Sequence, residues 1–156
     1  ELSNMLGIDK ETVENYIGLL EKCFVVFRID SYSQNIRNEI KKGKKVYFYD
    51  NGVRNAVLSN FAPLDMRTDT GALWENLLVS ERMKHNSYRG SYAQLYFWRT
   101  HDQKEIDLIE IEDGMMNAYE FKFNSKKSAR MPVNFQKAYP NATFKVINPD
   151  NMWLFV

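Results

Sequence analysis

Three short runs in the second half of the chain limit its fold more than anything else in the sequence. Gln94–Thr100, Glu105–Ile111 and Met116–Phe123 are rich in β-branched and aromatic residues. Turn signals at His101-Asp102 and at Glu112-Asp113-Gly114 separate them. Runs of this length and spacing predict three consecutive strands. A helical pattern from about Gly71 to Lys84 precedes them, with Leu73, Trp74, Leu77, Leu78 and Met83 on its apolar face. A short helix near Pro132–Tyr139 and a strand at Thr143–Ile147 follow, and Met152–Val156 reads as one more strand. The order α-β-β-β-α-β predicts an α/β (α+β) domain with a central mixed sheet, assigned to residues 68–156.

The first sixty residues read differently. Residues 1–6 resemble the end of a helix stopped by Gly7, and Asp9 is placed to cap the next one. Val13, Tyr16, Ile17, Leu19 and Leu20 recur at helical spacing. Helix, short turn and helix form a helix-turn-helix pattern. Phe24–Ile29 and Val46–Tyr49 then predict a hairpin, with the basic run Lys41-Lys42-Gly43-Lys44-Lys45 at its tip. Asp50-Asn51-Gly52 breaks the second strand, and Val53–Leu58 suits a short helix. That order is the one found in winged helices, so residues 1–60 are assigned to a winged-helix module. Asn60–Asp69, with Pro63, reads as the linker.

The chain has 156 residues, 44% of them hydrophobic and 14% aromatic, which supplies a core and excludes a disordered chain. A net charge of +1 exerts no overall pull on nucleic acid or membrane. Nucleic-acid contact would have to come from local patches, for which Lys41, Lys42, Lys44, Lys45, Lys126, Lys127 and Arg130 are the candidates. The single cysteine, Cys23, excludes an internal disulfide. It lies in the apolar run Cys23–Phe27, so a buried, inert thiol is expected, in a reducing cytoplasmic compartment. Every apolar run is far shorter than the roughly 20 residues that span a bilayer. A start inside a helix without an initiator Met reads as a fragment of a longer protein.

Chemistry concentrates on the middle strands. An ionised aspartate between large aliphatics, as in Ile106-Asp107-Leu108-Ile109, is costly to bury without a partner. On the next strand Ala118, Glu120 and Lys122 share one face, while Tyr119, Phe121 and Phe123 fill the other. With neighbouring strands about 4.8 Å apart, Asp107 and Glu120 can converge on one cation, with Lys122 beside it. Mg²⁺ takes hard oxygen ligands of this kind, and a nearby lysine can stabilise developing negative charge.

Ile106-Asp107 followed one strand later by Glu120-Phe121-Lys122 resembles the PD-(D/E)xK nuclease superfamily. Glu75, in Gly71-Ala72-Leu73-Trp74-Glu75-Asn76, matches the carboxylate that members often add from the preceding helix. Ile106 stands where the superfamily's name motif has proline. The wider set of Gly-x-Leu-Trp-Glu-Asn, Tyr-Phe-Trp-Arg-Thr, Glu-Ile-Asp-Leu and Glu-Phe-Lys-Phe resembles the C-terminal region of predicted bacterial AAA+ ATPases, a domain of unknown function (DUF4143). The similarity extends upstream through Thr12–Glu21 and Lys45–Gly52 to the winged-helix segment such ATPases carry.

The resemblance implies a restriction-endonuclease-like domain, with Asp107, Glu120 and Glu75 as Mg²⁺ ligands and Lys122 as the fourth catalytic group. It implies DNA or RNA as partner, and an ATPase module as the N-terminal part missing here. No Gly-x-x-x-x-Gly-Lys-Ser/Thr loop occurs in this chain, so ATP is not bound here by that route.

Plainer readings accompany these. Glu120 and Lys122 also suit an ion pair on a solvated strand face, and Glu75 suits an exposed first-turn residue. Glu105 and Arg99 suit a surface pair, and Trp74 and Trp98 suit core positions. Lys10, Glu11, Glu14, Asn15 and Glu21 give the presumed recognition helix an acidic polar face, the opposite of what phosphate contact requires. The winged helix therefore also suits protein–protein or interdomain contact. Two functions follow: an Mg²⁺-dependent nuclease module, or a non-catalytic binding module that regulates the ATPase. Either is compatible with an oligomer.

Overall fold

The computed structural model describes residues 2–34 and 43–156. Helices α1 (Leu2–Leu6) and α2 (Lys10–Lys22) are separated by a turn in which Gly7 adopts φ +66°, a conformation that favours glycine. Asp9 caps α2 by accepting from the Thr12 amide at 2.8 Å. Strands β1 (Val26–Ser31) and β2 (Lys44–Phe48) pair antiparallel in the expected hairpin, with Val26 opposite Phe48 and Asp30 opposite Lys44. Lys41 and Lys42 of the expected tip lie outside the described residues. Helix α3 (Asn51–Val57) follows, capped by Asp50. A 3-10 turn at Leu64–Met66 leads to α4 (Thr70–Tyr88), 19 residues long.

Beyond α4 come β3 (Gln94–Arg99), β4 (Glu105–Glu112), β5 (Met115–Phe121), α5 (Val133–Ala138) and β6 (Thr143–Ile147). Asp113 and Gly114, at φ 50° and 78°, make the tight turn between β4 and β5. The last segment is not a strand. Met152–Leu154 forms a 3-10 turn, and Phe155 tucks into the core at 3% exposure. There its ring meets Tyr119 and Phe121 at centroid distances of 4.8 and 5.7 Å.

The protein is mixed α+β, with one six-stranded mixed sheet ordered β2-β1-β3-β4-β5-β6. The N-terminal hairpin is part of this sheet, because β1 pairs parallel with β3, Asp30 opposite Tyr96 and Ser31 opposite Phe97. One core includes Phe27, Ile29 and Tyr47 of the hairpin, Trp74 and Leu78 of α4, and Phe97, Leu108 and Phe121 of the later strands. A second core joins Trp98, Ile106, Ile109 and Ala118 to Phe135 of α5. Both Trp74 and Trp98 are core residues, at 6% and 1% exposure. Cys23 is not buried: it ends α2 and is exposed, because the sheet begins only at Val26.

Two acidic residues of α2, Glu14 and Glu21, face the hairpin. Arg28 on β1 donates to Glu21 at 2.9 and 2.5 Å and to Glu14 at 2.5 Å. Lys44 lies 3.8 Å from the same Glu14. These two carboxylates are thus matched within the chain.

Candidate functional site

The site begins with an irregularity in β4. Tyr96 pairs with Ile109 and Trp98 with Ile106, so Phe97 alone faces both Asp107 and Leu108. A bulge of this form puts two successive side chains on one side of the sheet and re-aims a residue that strict alternation would send elsewhere. Leu108 joins the core beneath α4. Asp107, beside it, reaches β5, where its Oδ2 accepts from the Phe121 amide at 2.7 Å. The β4–β5 ladder runs from Glu112–Met115 to Leu108–Tyr119, so this carboxylate takes over just where backbone pairing ends.

Three further elements bring charged groups to the same end of the sheet. From β5, Glu120 accepts from Lys122 Nζ at 2.6 Å. From α4, Glu75 Oε1 accepts from both Lys45 Nζ and Tyr47 Oη, each at 2.8 Å. Lys45 also pairs with Glu105, and its ammonium lies 5.3 Å from the centre of the Phe97 ring. Arg99 approaches Glu105 at 3.8 Å. Asp107, Glu120, Glu75 and Lys122 thus come together in one region.

The electrostatics reflect this crowding. Burial raises the Asp107 carboxyl, and the charges of Glu120 and Glu75 raise it further, to about 7. The Phe121 amide and Lys45 offset part of that rise. Burial and the adjacent Glu75 push the Tyr47 phenol far above its ordinary range, so it remains a donor. Burial would lower the Lys122 ammonium, but its bond to Glu120 and the surrounding acids raise it.

The donor set suits a hard divalent cation in kind, since carboxylate oxygens of Asp107 and Glu120 stand near one another and repel. A three-carboxylate cage is not formed: among the described residues no group of three acids, imidazoles or thiolates is arranged to hold a metal ion. Glu75 is engaged by Lys45 and Tyr47, and Glu120 by Lys122. Glu75 and Glu120 are thus each held by a lysine, and Asp107 by the Phe121 amide.

Of the basic candidates, Lys45 faces the acids rather than solvent, and Lys44 lies beside Glu14. Lys126, Lys127 and Arg130 are exposed in the loop between β5 and α5. Tyr47 and Lys45 are the members of the constellation that sequence reasoning placed elsewhere. The alternation of Lys45, Tyr47 and Tyr49 along one strand was the available signal. Close by, Trp74 Nε1 is buried and has no hydrogen-bond partner among the described residues.

Among the described residues no helix is long and apolar enough to cross a membrane. Two family models match the chain. A domain of unknown function, DUF8612, matches residues 1–64, and a second, DUF4143, matches residues 70–152. Two uncharacterised proteins, Mb2031c of Mycobacterium bovis and Rv2008c of Mycobacterium tuberculosis, are each 25% identical over 130 residues. The alignment covers 82% of this chain but 29% of either relative, so the chain spans less than a third of their length. No solved structure matches it. With more than half of its residues matched by that second model, and with the Glu75, Asp107 and Glu120 constellation inside the match, the chain belongs to the DUF4143 family.

Proposed function

We propose that this chain carries a divalent-cation-dependent phosphodiesterase module that acts on DNA or RNA, built on a restriction-endonuclease-like arrangement preceded by a winged helix. One observation carries the reading. A bulge places Asp107 among the charges of Glu120 and Glu75, at a position where burial and repulsion penalise its ionised form. Structural carboxylates are ordinarily paired with cations. A half-buried acid crowded by other acids is a mark of functional sites.

Asp107 and Glu120 would hold Mg²⁺ or Mn²⁺ between them. When bound, the ion would supply charge neutralisation and an acidified water for attack on phosphorus. Lys122, which lies beside Glu120, would donate to a phosphate oxygen or orient the attacking water. The exposed Lys126, Lys127 and Arg130 would hold the phosphate backbone by charge. By its likeness to predicted AAA+ ATPases, the module would work as the C-terminal part of such a protein.

A second reading is a non-catalytic binding module that regulates the ATPase, favoured by the lack of a three-carboxylate cage among the described residues. One pair of measurements separates the two. Calorimetric Mn²⁺ titration of wild type and Asp107→Asn is run beside cleavage of plasmid and single-stranded substrates with Mg²⁺ or Mn²⁺. The nuclease reading expects binding heat and cleavage in wild type and their loss in the variant. No heat and no cleavage in wild type would leave the binding module as the function.

A further inference from the structure

We propose that the cavity where β5 and β6 begin, at the end of the sheet away from the acids, is a nucleobase-binding site, with Asn117 and Asn141 reading the edge of the ring. The proposal does not depend on whether Asp107 and Glu120 bind a cation.

The cavity has a volume of about 350 Å³. Small-molecule sites typically run from about 300 to 1,000 Å³. Phe121, whose amide holds Asp107, is at the other end of β5, about 20 Å along the strand. Two tight turns form the lips of the cavity. One holds Gly114, at φ 78°. The other runs from Tyr139 to Ala142, whose amide donates to the Tyr139 carbonyl at 3.1 Å, with Pro140 at its second position. Lips of this kind are shaped before a ligand arrives, which lowers the cost of binding.

The lining sets the chemistry of the occupant. It contains no acidic or basic side chain, so a phosphate, carboxylate or amine would gain no charged partner inside. Met116, Tyr139 and Ala142, which belong to the second core or pack against it, give an apolar floor. Thioether and ring surfaces favour a flat aromatic ligand. Polar groups stand at the rim. Asn117 lies opposite Thr143 in the parallel β5–β6 ladder, and its Oδ1 accepts from Thr143 Oγ1 at 2.7 Å. That bond fixes the carboxamide and leaves its Nδ2 donors without a partner among the described residues. Asn141 is exposed, and its carboxamide has no hydrogen bond among the described residues. A carboxamide offers donor and acceptor side by side, the arrangement by which asparagine pairs with the edge of adenine. A neutral flat ring with donors and acceptors along its edge satisfies floor and rim together, and nucleobases are that class.

The test is titration of the whole chain with adenosine and with cytidine, followed by ¹H–¹⁵N NMR, with ribose 5-phosphate as the control that lacks a base. A nucleoside should shift the amide signals of residues 114–117 and 141–143 and the side-chain signals of Asn117 and Asn141. A ligand of that size should bind with a dissociation constant on the order of 0.1–1 mM. Asn117→Ala and Asn141→Ala should each weaken binding about tenfold, the loss expected for one hydrogen bond. Asn141 is exposed in a turn, so its variant carries the test alone if Asn117→Ala alters the spectrum far from the cavity. A single-stranded DNA tetramer separates the two sources of a base. Tighter binding of the tetramer than of the nucleoside at these residues assigns the site to a strand, and binding no tighter assigns it to free nucleosides or nucleotides. Shifts from ribose 5-phosphate as large as those from the nucleosides would overturn the proposal. So would nucleoside affinity unchanged in both variants, or no shift at the cavity with either nucleoside.

Discussion

At the scale of single residues, Asp107 has the clearest measurable consequence. Its carboxyl titrates near 7 in the folded protein and near the ordinary aspartate value of 3.8 when unfolded. Between those values the folded state binds a proton that the unfolded state has released. The stability that Asp107 contributes is therefore fullest below about pH 4 and is lost as pH rises toward 7. Asp107→Asn removes the charge while an amide oxygen can still accept from Phe121. Thermal melts in chelator should show the variant more stable than wild type at pH 8, by up to a few kcal/mol, with a smaller gap at pH 5 and none below about pH 4. Equal melting temperatures at both pH values would show that Asp107 is not crowded by the neighbouring acids. Divalent cation should reverse the order at pH 8, since only wild type would gain from binding.

At the scale of elements, a second charged cluster serves structure rather than chemistry. Arg82 on α4 donates from Nε and Nη2 to Glu110 at 2.8 and 2.6 Å, and from Nη1 to the Phe155 carbonyl at 2.6 Å. Asn86 Nδ2 and the Tyr119 hydroxyl complete the shell of Glu110, at 2.7 and 3.3 Å. Burial would raise the Glu110 carboxyl, but these donors more than offset it and hold it below the ordinary glutamate range. The cluster ties α4 to β4 and to the C-terminal turn. Arg82→Met would leave a buried, uncompensated carboxylate and should cost about 3–5 kcal/mol in urea unfolding. Adding Glu110→Gln should recover a large part of that loss. A double-mutant cycle with no coupling would show the pair to be energetically idle.

At the scale of the whole molecule, the hairpin and the family-defining region share a sheet and a core. Removing residues 1–64 would strip β1 from β3 and expose Phe97, together with the part of Trp74 and Leu78 that Phe27, Ile29 and Tyr47 cover. A fragment of residues 65–156 is therefore expected to unfold at lower denaturant and with a shallower transition than the whole chain. Its exposed β3 edge should favour self-association. Equal midpoints and slopes for the fragment and the whole chain would show that the C-terminal stretch stands alone.

The local elements were legible in the sequence because they rest on local physics. The apolar periodicity of α4, the Asp9 and Asp50 caps, the Asp113-Gly114 turn and the β1–β2 hairpin each depend on residues a few positions apart. Asp107, Glu120, Lys122 and Glu75 were legible as a motif, and their elements are neighbours in the fold. Other features depended on contacts between distant residues. Met152–Leu154 forms a turn because Phe155 finds a place in the core. Cys23 is exposed because β1 starts three residues later. Lys45 reads as one more lysine in a basic run until the strand pairing turns it inward toward Glu75 and Glu105. Strand alternation alone would separate Asp107 from Leu108, and only the mismatch in register between β3 and β4 sends both to one face. Residue type and spacing determined which groups could do chemistry. The tertiary structure decided which carboxylate is crowded and which is held, because the charge and burial around each acid come from strands and helices far away in sequence.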